Sequence, residues 1–365
     1  MSHLTLYTSI VFISLFFIGC FDFPEQCGMD FEKTEYELWN LEVFNSSFSK
    51  SHTWNTKSSN NGYSSNYKFY GVTPDKKYLY YTDSNSISYL NLYKLDLNLD
   101  EVTKIQIESD AKDYTLSPSG EFAAYQKRSK VWISDTKGNS KYMLPRSDSL
   151  QYFGSPKWYV DDDRLLINGA GTYSKAGLWL VNLKDSSYSR ISFDKNGTKY
   201  DLSWDGSKIV VQDNESSDSP IIKYKNIFSD DLVTLSVGHS PKFVNEGKSI
   251  LFERSNDVYI SSLSGKTKRV FTKTGDPDLW GKRRITISQD QRLLGYINEQ
   301  ALQVYDTVTD QLITTLKISE FKPSDLGGWD SIDVDISELT FSMNNKKIYF
   351  LISKRHFSDG CAGSL

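Results

Sequence analysis

One recurring segment constrains this chain more than any other feature. Stretches of the same kind return as VTPDKKYLYY (72–81), LSPSGEFAAY (116–125), WYVDDDRLLI (158–167), LSWDGSKIVV (202–211), FVNEGKSILF (243–252), ISQDQRLLGY (287–296) and FSMNNKKIYF (341–350). Each reads as a strand end, a polar turn and an alternating apolar strand. With the turns aligned at Lys76, Gly120, Asp162, Gly206, Gly247, Gln291 and Asn345, the spacings are 44, 42, 44, 41, 44 and 54 residues. A second strand signal keeps the same phase: LYKLD (92–96), VWISD (131–135), LWLVN (178–182), IKYKN (222–226), VYISS (258–262) and LQVYD (302–306). A further strand follows in VTKIQI (102–107), YSRIS (188–192), LVTLS (232–236), KRVFT (268–272) and LITTL (312–316). A period near 42 residues built from short strands predicts an all-β fold, a β-propeller with about four strands per blade and seven blades.

The seventh repeat is incomplete. ELTFS (338–342) and KIYFLIS (347–353) supply its first two strands, and no third strand signal follows before Leu365. Leu38-Trp39-Asn40-Leu41-Glu42 has the form of the third strands elsewhere. The expectation is that 36–44 completes blade seven beside 347–353, with the fourth strand drawn from 45–70. Closure of this kind removes the free edges of an open β array. Within that span, 45–68 is Ser/Asn-rich and reads as a loop or weak edge strand.

Leu4 to Gly19 is apolar and uncharged, 16 residues long. That is short of the roughly 20 that span a bilayer and fits a signal h-region. Phe17-Ile18-Gly19-Cys20 follows. It resembles the lipobox of bacterial lipoproteins, in which a small residue precedes a cysteine that is lipidated and becomes the mature N-terminus. Gly19 and Cys20 match; Phe17 replaces the usual leucine, and Met1-Ser2-His3 lacks the usual basic residue. An ordinary signal peptide cut elsewhere is the competing reading. The resemblance implies a signal peptide over 1–19, an acyl anchor on Cys20, a tether over 20–35 and a single propeller domain over 36–365. Phe21 is not the aspartate associated in lipoproteins with inner-membrane retention, which favours the outer membrane, facing periplasm or surface.

With Cys20 assigned to lipid, Cys27 and Cys361 remain as an even pair in an exported, oxidising setting. Cys361 lies 8 residues beyond Ser353 and Cys27 lies 9 before Tyr36. A Cys27–Cys361 disulfide would clasp the closing blade where other blades have a covalent loop. Two unpaired thiols on the chain ends are the alternative.

The repeat itself resembles the TolB-like and related WD-type propeller repeats of bacterial envelope proteins. Pro156-Lys157-Trp158-Tyr159-Val160-Asp161-Asp162-Asp163-Arg164 and Pro241-Lys242-Phe243-Val244-Asn245-Glu246-Gly247-Lys248 match that pattern in register, and Ser117-Pro118-Ser119-Gly120 and Ser203-Trp204-Asp205-Gly206 match its centre. The likeness covers residues 72 to 353 and is specific for fold, not function. TolB carries an α/β domain before its propeller. About 50 mature residues precede the repeats here, so TolB's own partnership is not carried over.

Chemical signatures are sparse. No G-x-S-x-G elbow, H-E-x-x-H, C-x-x-C or P-loop occurs. Four histidines, each alone in sequence, leave little for a His-based metal site, and no metal or cofactor is expected. A balance of 42 basic against 46 acidic residues argues against nucleic-acid binding. Asp161-Asp162-Asp163 reads as a solvated turn more than as a calcium site. Two loops entering innermost strands, Pro277–Arg284 and Ser324–Asp330, each present Asp-Leu and then Trp with glycine. Trp280, Arg283, Trp329 and Asp330 are the candidate partner-binding residues. The competing role for both tryptophans is packing between blades. The expected function is a lipid-anchored cell-envelope propeller acting as a non-catalytic binding or scaffold protein for a protein or envelope polymer. A carbohydrate-active or hydrolytic enzyme on this scaffold and a surface-exposed adhesin are the alternatives.

Overall fold

Along each repeat the apolar residues sit on both sides of the strands, so every sheet must be covered on both faces. A computed structural model shows how the chain arranges this. It describes residues 29–57, 66–72, 77–84, 90–98, 104–136, 141–145, 152–170, 177–191, 199–213, 220–255, 257–272, 285–298, 301–322, 331–342 and 344–359.

The strands form seven antiparallel four-stranded blades of a β-propeller. Blade one comprises Asn66–Val72, Tyr78–Ser84, Leu90–Asp96 and the start of Lys104–Leu116. That last strand runs on as the innermost strand of blade two, joined there by Phe122–Lys127, Lys130–Asp135 and Lys141–Met143. Blade three is Tyr152–Trp158, Arg164–Ala170, Gly177–Asn182 and Ser187–Ile191. Blade four is Tyr200–Leu202, Lys208–Asp213, Ile221–Asn226 and Val233–Val237. Blade five is His239–Val244, Ser249–Arg254, Asp257–Ser262 and Thr267–Thr272. Blade six is Ile285–Ile287, Leu293–Asn298, Ala301–Asp306 and Gln311–Lys317, followed by a 3-10 turn at Ile318–Phe321.

Blade seven is made from both ends of the chain. Its order is Ser331–Phe341, Lys347–Asp359, Met29–Glu42 and Phe48–Lys57. The expected borrowing of an N-terminal strand is therefore what the fold contains, and Phe48–Lys57 supplies the fourth strand as an outer edge. The borrowed strand is longer than its apolar signal. It starts at Met29, and its polar first half pairs residue by residue with the end of Lys347–Asp359. Backbone hydrogen bonding extends the ladder there, which an apolar pattern does not reveal. At the hub, Val72 and Ser342 bridge blades one and seven in parallel.

The core is a ring of seven apolar clusters, one at each junction between neighbouring blades. Alternation along each strand sends successive residues to opposite junctions. Leu165 and Ile167 pack toward blade two while Leu166 packs toward blade four. In blade seven, Leu38 and Leu351 face blade one while Leu41, Phe350 and Ile352 face blade six. The borrowed strand thus contributes to two of the seven junctions.

One carboxylate pins this strand in place. Glu37 is buried, and it accepts hydrogen bonds from Trp39 Nε1 at 2.9 Å, from Lys50 Nζ at 3.0 Å and from Lys354 Nζ at 3.0 Å. Lys50 and Lys354 sit on the two strands that flank it. Burial pushes the Glu37 carboxyl up, but the bonds from Trp39, Lys354 and Lys50 outweigh burial and hold it below the ordinary glutamate range. A lowered folded-state pKa means the stabilisation is full above the unfolded-state value, about 4.3, and is lost as pH falls through the folded-state value. Glu37→Gln should lower stability by about 2–3 kcal/mol at neutral pH. It should also flatten the acid limb of a melting-temperature profile below about pH 4.

Candidate functional site

Two regions of the described structure gather polar or exposed groups: the innermost strands around the channel, and the face formed by turns between first and second and between third and fourth strands. Cys20, Cys27, Cys361, Trp280, Arg283, Trp329 and Asp330 all lie outside the described residues.

The channel wall is built on β-bulges. The innermost strands of blades two, three, five and seven shift register between Lys112 and Thr115, Gly154 and Lys157, His239 and Lys242, and Ser337 and Leu339. Each bulge holds a non-glycine residue at positive φ: Asp113 (54°), Ser155 (45°), Ser240 (51°) and Glu338 (49°). Such backbone is costly unless its surroundings hold it. Side chains from neighbouring blades do so. Ser240 N donates to Gln212 Oε1 at 2.8 Å, Ser155 Oγ donates to Asp113 Oδ2 at 3.2 Å, and Phe69 N donates to Glu338 Oε2 at 3.1 Å.

Blades three, four and five meet at one carboxylate. Asp201 Oδ1 receives the ammonium of Lys157 and lies 3.8 Å from that of Lys242, while its Oδ2 accepts the Phe243 amide at 2.8 Å. Lys199 Nζ donates to Ser240 Oγ at 2.9 Å. Asp201 is 6% exposed and the two lysine side chains 34% and 33%, so it is the anion that depends on its partners. Desolvation, and then repulsion from Lys242, sets the Lys157 pKa well below the ordinary lysine value. The phenol of Tyr200, donating to Ser155 O at 2.7 Å, is pushed up by burial and secondarily by Asp113. This arrangement ties three blades together through one buried carboxylate. The signal for it was present in the repeat of Ser155-Pro156-Lys157 as Ser240-Pro241-Lys242, bracketing a blade with Asp in the equivalent place. What could not be read was that the two lysines converge on that Asp.

On the turn face, five of the aligned turn positions adopt left-handed backbone: Gly120 (75°), Gly206 (70°), Gly247 (76°), Gln291 (60°) and Asn345 (57°). Glycine and asparagine suit that geometry and glutamine does not. Gln291 is held because its side chain reaches across the ring, accepting from Trp204 N at 2.9 Å and donating to Leu202 O at 2.6 Å. A Cβ on Gly247 would lie 2.9 Å from Ser203 Cβ, so blades four and five meet there only through glycine. Asn245 N donates to Thr307 Oγ1 at 2.9 Å, Gln289 N to Asn345 Oδ1 at 3.2 Å, and Ser46 Oγ pairs with Thr314 Oγ1 at 2.7 Å. These bonds stitch the turns of blades four to seven into one surface. Exposed on it are Phe44 (67%), Trp204 (54%), Phe228 (78%), Val308 and Leu312.

The three aspartates of the blade-three turn have separate partners. Asp161 holds Arg164 at 2.5 Å, Asp162 accepts Ser119 N at 3.1 Å and Asp163 holds Lys184 at 2.6 Å. Among the described residues no group of three or more His, Cys, Asp or Glu is arranged to hold a metal ion, and no helix is long and apolar enough to cross a membrane.

No protein-family model and no curated protein sequence matches the chain. Solved structures do. An oligogalacturonate lyase in complex with manganese is 12% identical, covering 81% of this chain and 91% of that one, with a TM-score of 0.55. A structure assigned as TolB from Agrobacterium tumefaciens is 12% identical, covering 89% and 99%, with a TM-score of 0.47. TolB from Acinetobacter baumannii is 14% identical, covering 77% and 76%, with a TM-score of 0.45. These are likenesses of fold alone, carried by the lyase, the one of the three above 0.5. The seven-bladed propeller expected from the TolB-like repeats is the fold present.

Replacing Asp201 by Asn should lower stability by about 2–4 kcal/mol, because two ammonium groups lose their counter-ion. Lys242→Met, which removes the repulsion but not the desolvation, should raise the Lys157 pKa in a methyl-lysine NMR titration; an unchanged value would leave desolvation alone as the cause.

Proposed function

We propose that this chain is a lipid-anchored β-propeller of the bacterial cell envelope that binds a protein or envelope polymer without transforming it. Cys20 carries the acyl chain, and the outer membrane is its site. The observation that carries the binding reading is the turn face, where Phe44, Trp204, Phe228, Val308 and Leu312 stand exposed on turns locked together by Gln291, Asn245 and Ser46. Single exposed apolar residues are ordinary, but several on one rigid surface favour a contact site. Rigidity matters because a preformed surface loses little freedom on binding. At the hub, Asp201 serves to join blades through Lys157, Lys242 and the Phe243 amide. Trp280, Arg283, Trp329 and Asp330, in the segments that precede the first strands of blades six and seven, remain proposed as a second contact surface.

The lyase fold supplies a competing reading in which the channel cleaves an acidic sugar polymer. Both are testable on the same protein. Crosslinking and affinity purification from native membranes should recover one recurrent partner. The Phe44→Ser/Trp204→Ser/Phe228→Ser variant should lose it while its melting temperature stays within about 2 °C of wild type, as surface changes do. Equal recovery by the variant would defeat the turn-face assignment. Unsaturated product from oligogalacturonate with manganese would replace binding by catalysis. Failure of labelled fatty acid to enter the wild-type protein at Cys20 would remove the anchor.

A further inference from the structure

The fourth strand of each blade is an outer edge, and an edge presents a row of main-chain N–H and C=O groups with which a further strand can pair. Natural sheets blunt such edges with shortness, bulges and charge, lysine especially. Six of the outer strands carry lysine or arginine: Lys104, Lys141, Arg190, Lys268 with Arg269, Lys317, and Lys50 with Lys57. The outer strand of blade four, Val233–Val237, carries no charged residue. The uncharged run is 232–238, bounded by Asp231 and His239. Bulges do not set this strand apart. Its register shifts between Ile222 and Lys223, and the outer ladders of blades one, five, six and seven shift too. Length does not either, since Ser187–Ile191 of blade three is as short and holds Arg190.

The side chains are as unguarded as the backbone. Leu232 and Val233 are each 42% exposed and Val237 45%, while Leu235 packs inward against the cluster between blades four and five. Which main-chain groups face out follows from the ladder. Gly238 N donates inward to Pro220 O at 2.9 Å. Bonded and non-bonded pairs alternate along an antiparallel ladder, so Val237, opposite Ile221, turns its amide and carbonyl away from the blade. Ser236 pairs with Ile222 and Thr234 with Lys223, so past the bulge Thr234 is the next to turn outward. A two-fold axis between Leu235 and Ser236 relates these two positions. Set against itself about that axis, the strand brings Thr234 opposite Val237, and such a pair exchanges two main-chain hydrogen bonds.

We propose that Val233–Val237 pairs antiparallel with the same strand of a second copy of this chain, joining two four-stranded blades into one continuous sheet about a two-fold axis. The missing charge is what favours a second copy. An isologous contact sets a surface against itself, so a lysine on the strand would bring its twin close to it, and like charges across a ladder are destabilising. Here the opposed residues are Thr234 and Val237, β-branched side chains that suit cross-strand contact. Val233 and Val237 of each copy lose water contact as the sheet continues past them. A pairing of five residues a side belongs with the weak, transient contacts that bury less than about 1,200 Å². The dimer therefore forms only as protein concentration rises. This contact needs neither the anchor nor the turn-face partner.

Sedimentation of the full-length chain at rising concentration in detergent solution tests it, beside Thr234→Lys and, as a control, Ser189→Lys on the outer strand of blade three. Wild type and Ser189→Lys should pass from monomer to dimer. Thr234→Lys should need at least about tenfold more protein to do so. When dilute it should melt within about 2 °C of wild type, as surface changes do; if it melts lower, Val237→Lys carries the same comparison. Hydrogen exchange locates the contact. The Thr234 and Val237 amides should exchange more slowly in concentrated than in dilute wild-type protein, and at the dilute rate in the variant. Wild type that stays a monomer up to about 1 mM, or a dimer unchanged by the lysine, would overturn the pairing. So would protection confined to other strands.

Discussion

Every blade must bury both faces against its neighbours, and this requirement organises the molecule. The seven apolar clusters alternate with the seven blades and leave no junction uncovered. A ring built this way has no end that can be left bare. A blade short of those two strands would uncover Tyr349 and Leu351 on one side and Phe350 and Ile352 on the other. Supplying those strands from the N-terminal segment is thus a condition of the core, not an ornament on it.

The same constraint explains the backbone strain near the hub. Seven innermost strands converge on a narrow centre, and bulges and left-handed turns bend them into place. Positive φ at Asp113, Ser155, Ser240 and Glu338 is held by polar groups of adjoining blades, and at Gln291 by bonds to blade four. Much of the polar chemistry at the hub is therefore committed to geometry. Asp201 is the clearest case, since a carboxylate bonded to Lys157 and the Phe243 amide serves as a joint between blades. What remains available to a partner is the surface such joints make rigid.

Much of this could be read before any coordinates. Alternation and a period near 42 residues revealed the blades, because burial on both faces leaves a strong apolar record in second and third strands. Leu38–Glu42 was recognisable for the same reason. The start of that strand, Met29–Glu35, was not, since its residues are mostly polar and carry no sustained alternation. Phe48–Lys57 read as loop or edge because an outer strand, wet on one side, carries little alternation. The meeting of Lys157, Asp201 and Lys242 was invisible because it depends on how blades pack, and each residue alone reads as a solvated charge. Gln291 did not stand out, since Lys76 and Asp162 in the aligned set are also neither glycine nor asparagine, and its reach from blade six to blade four depends on how the turns pack.

Blade seven also sets a timetable. The segment Met29–Glu42 is made before the other described strands, yet the strands on its inner side, Lys347–Asp359 and Ser331–Phe341, are made after all the others. Contacts this remote along the chain are slow to form, and a strand awaiting them exposes apolar side chains and an open edge. Circularisation must wait until Lys347–Asp359 has been made, so until then the growing propeller is an open arc with a bare last junction.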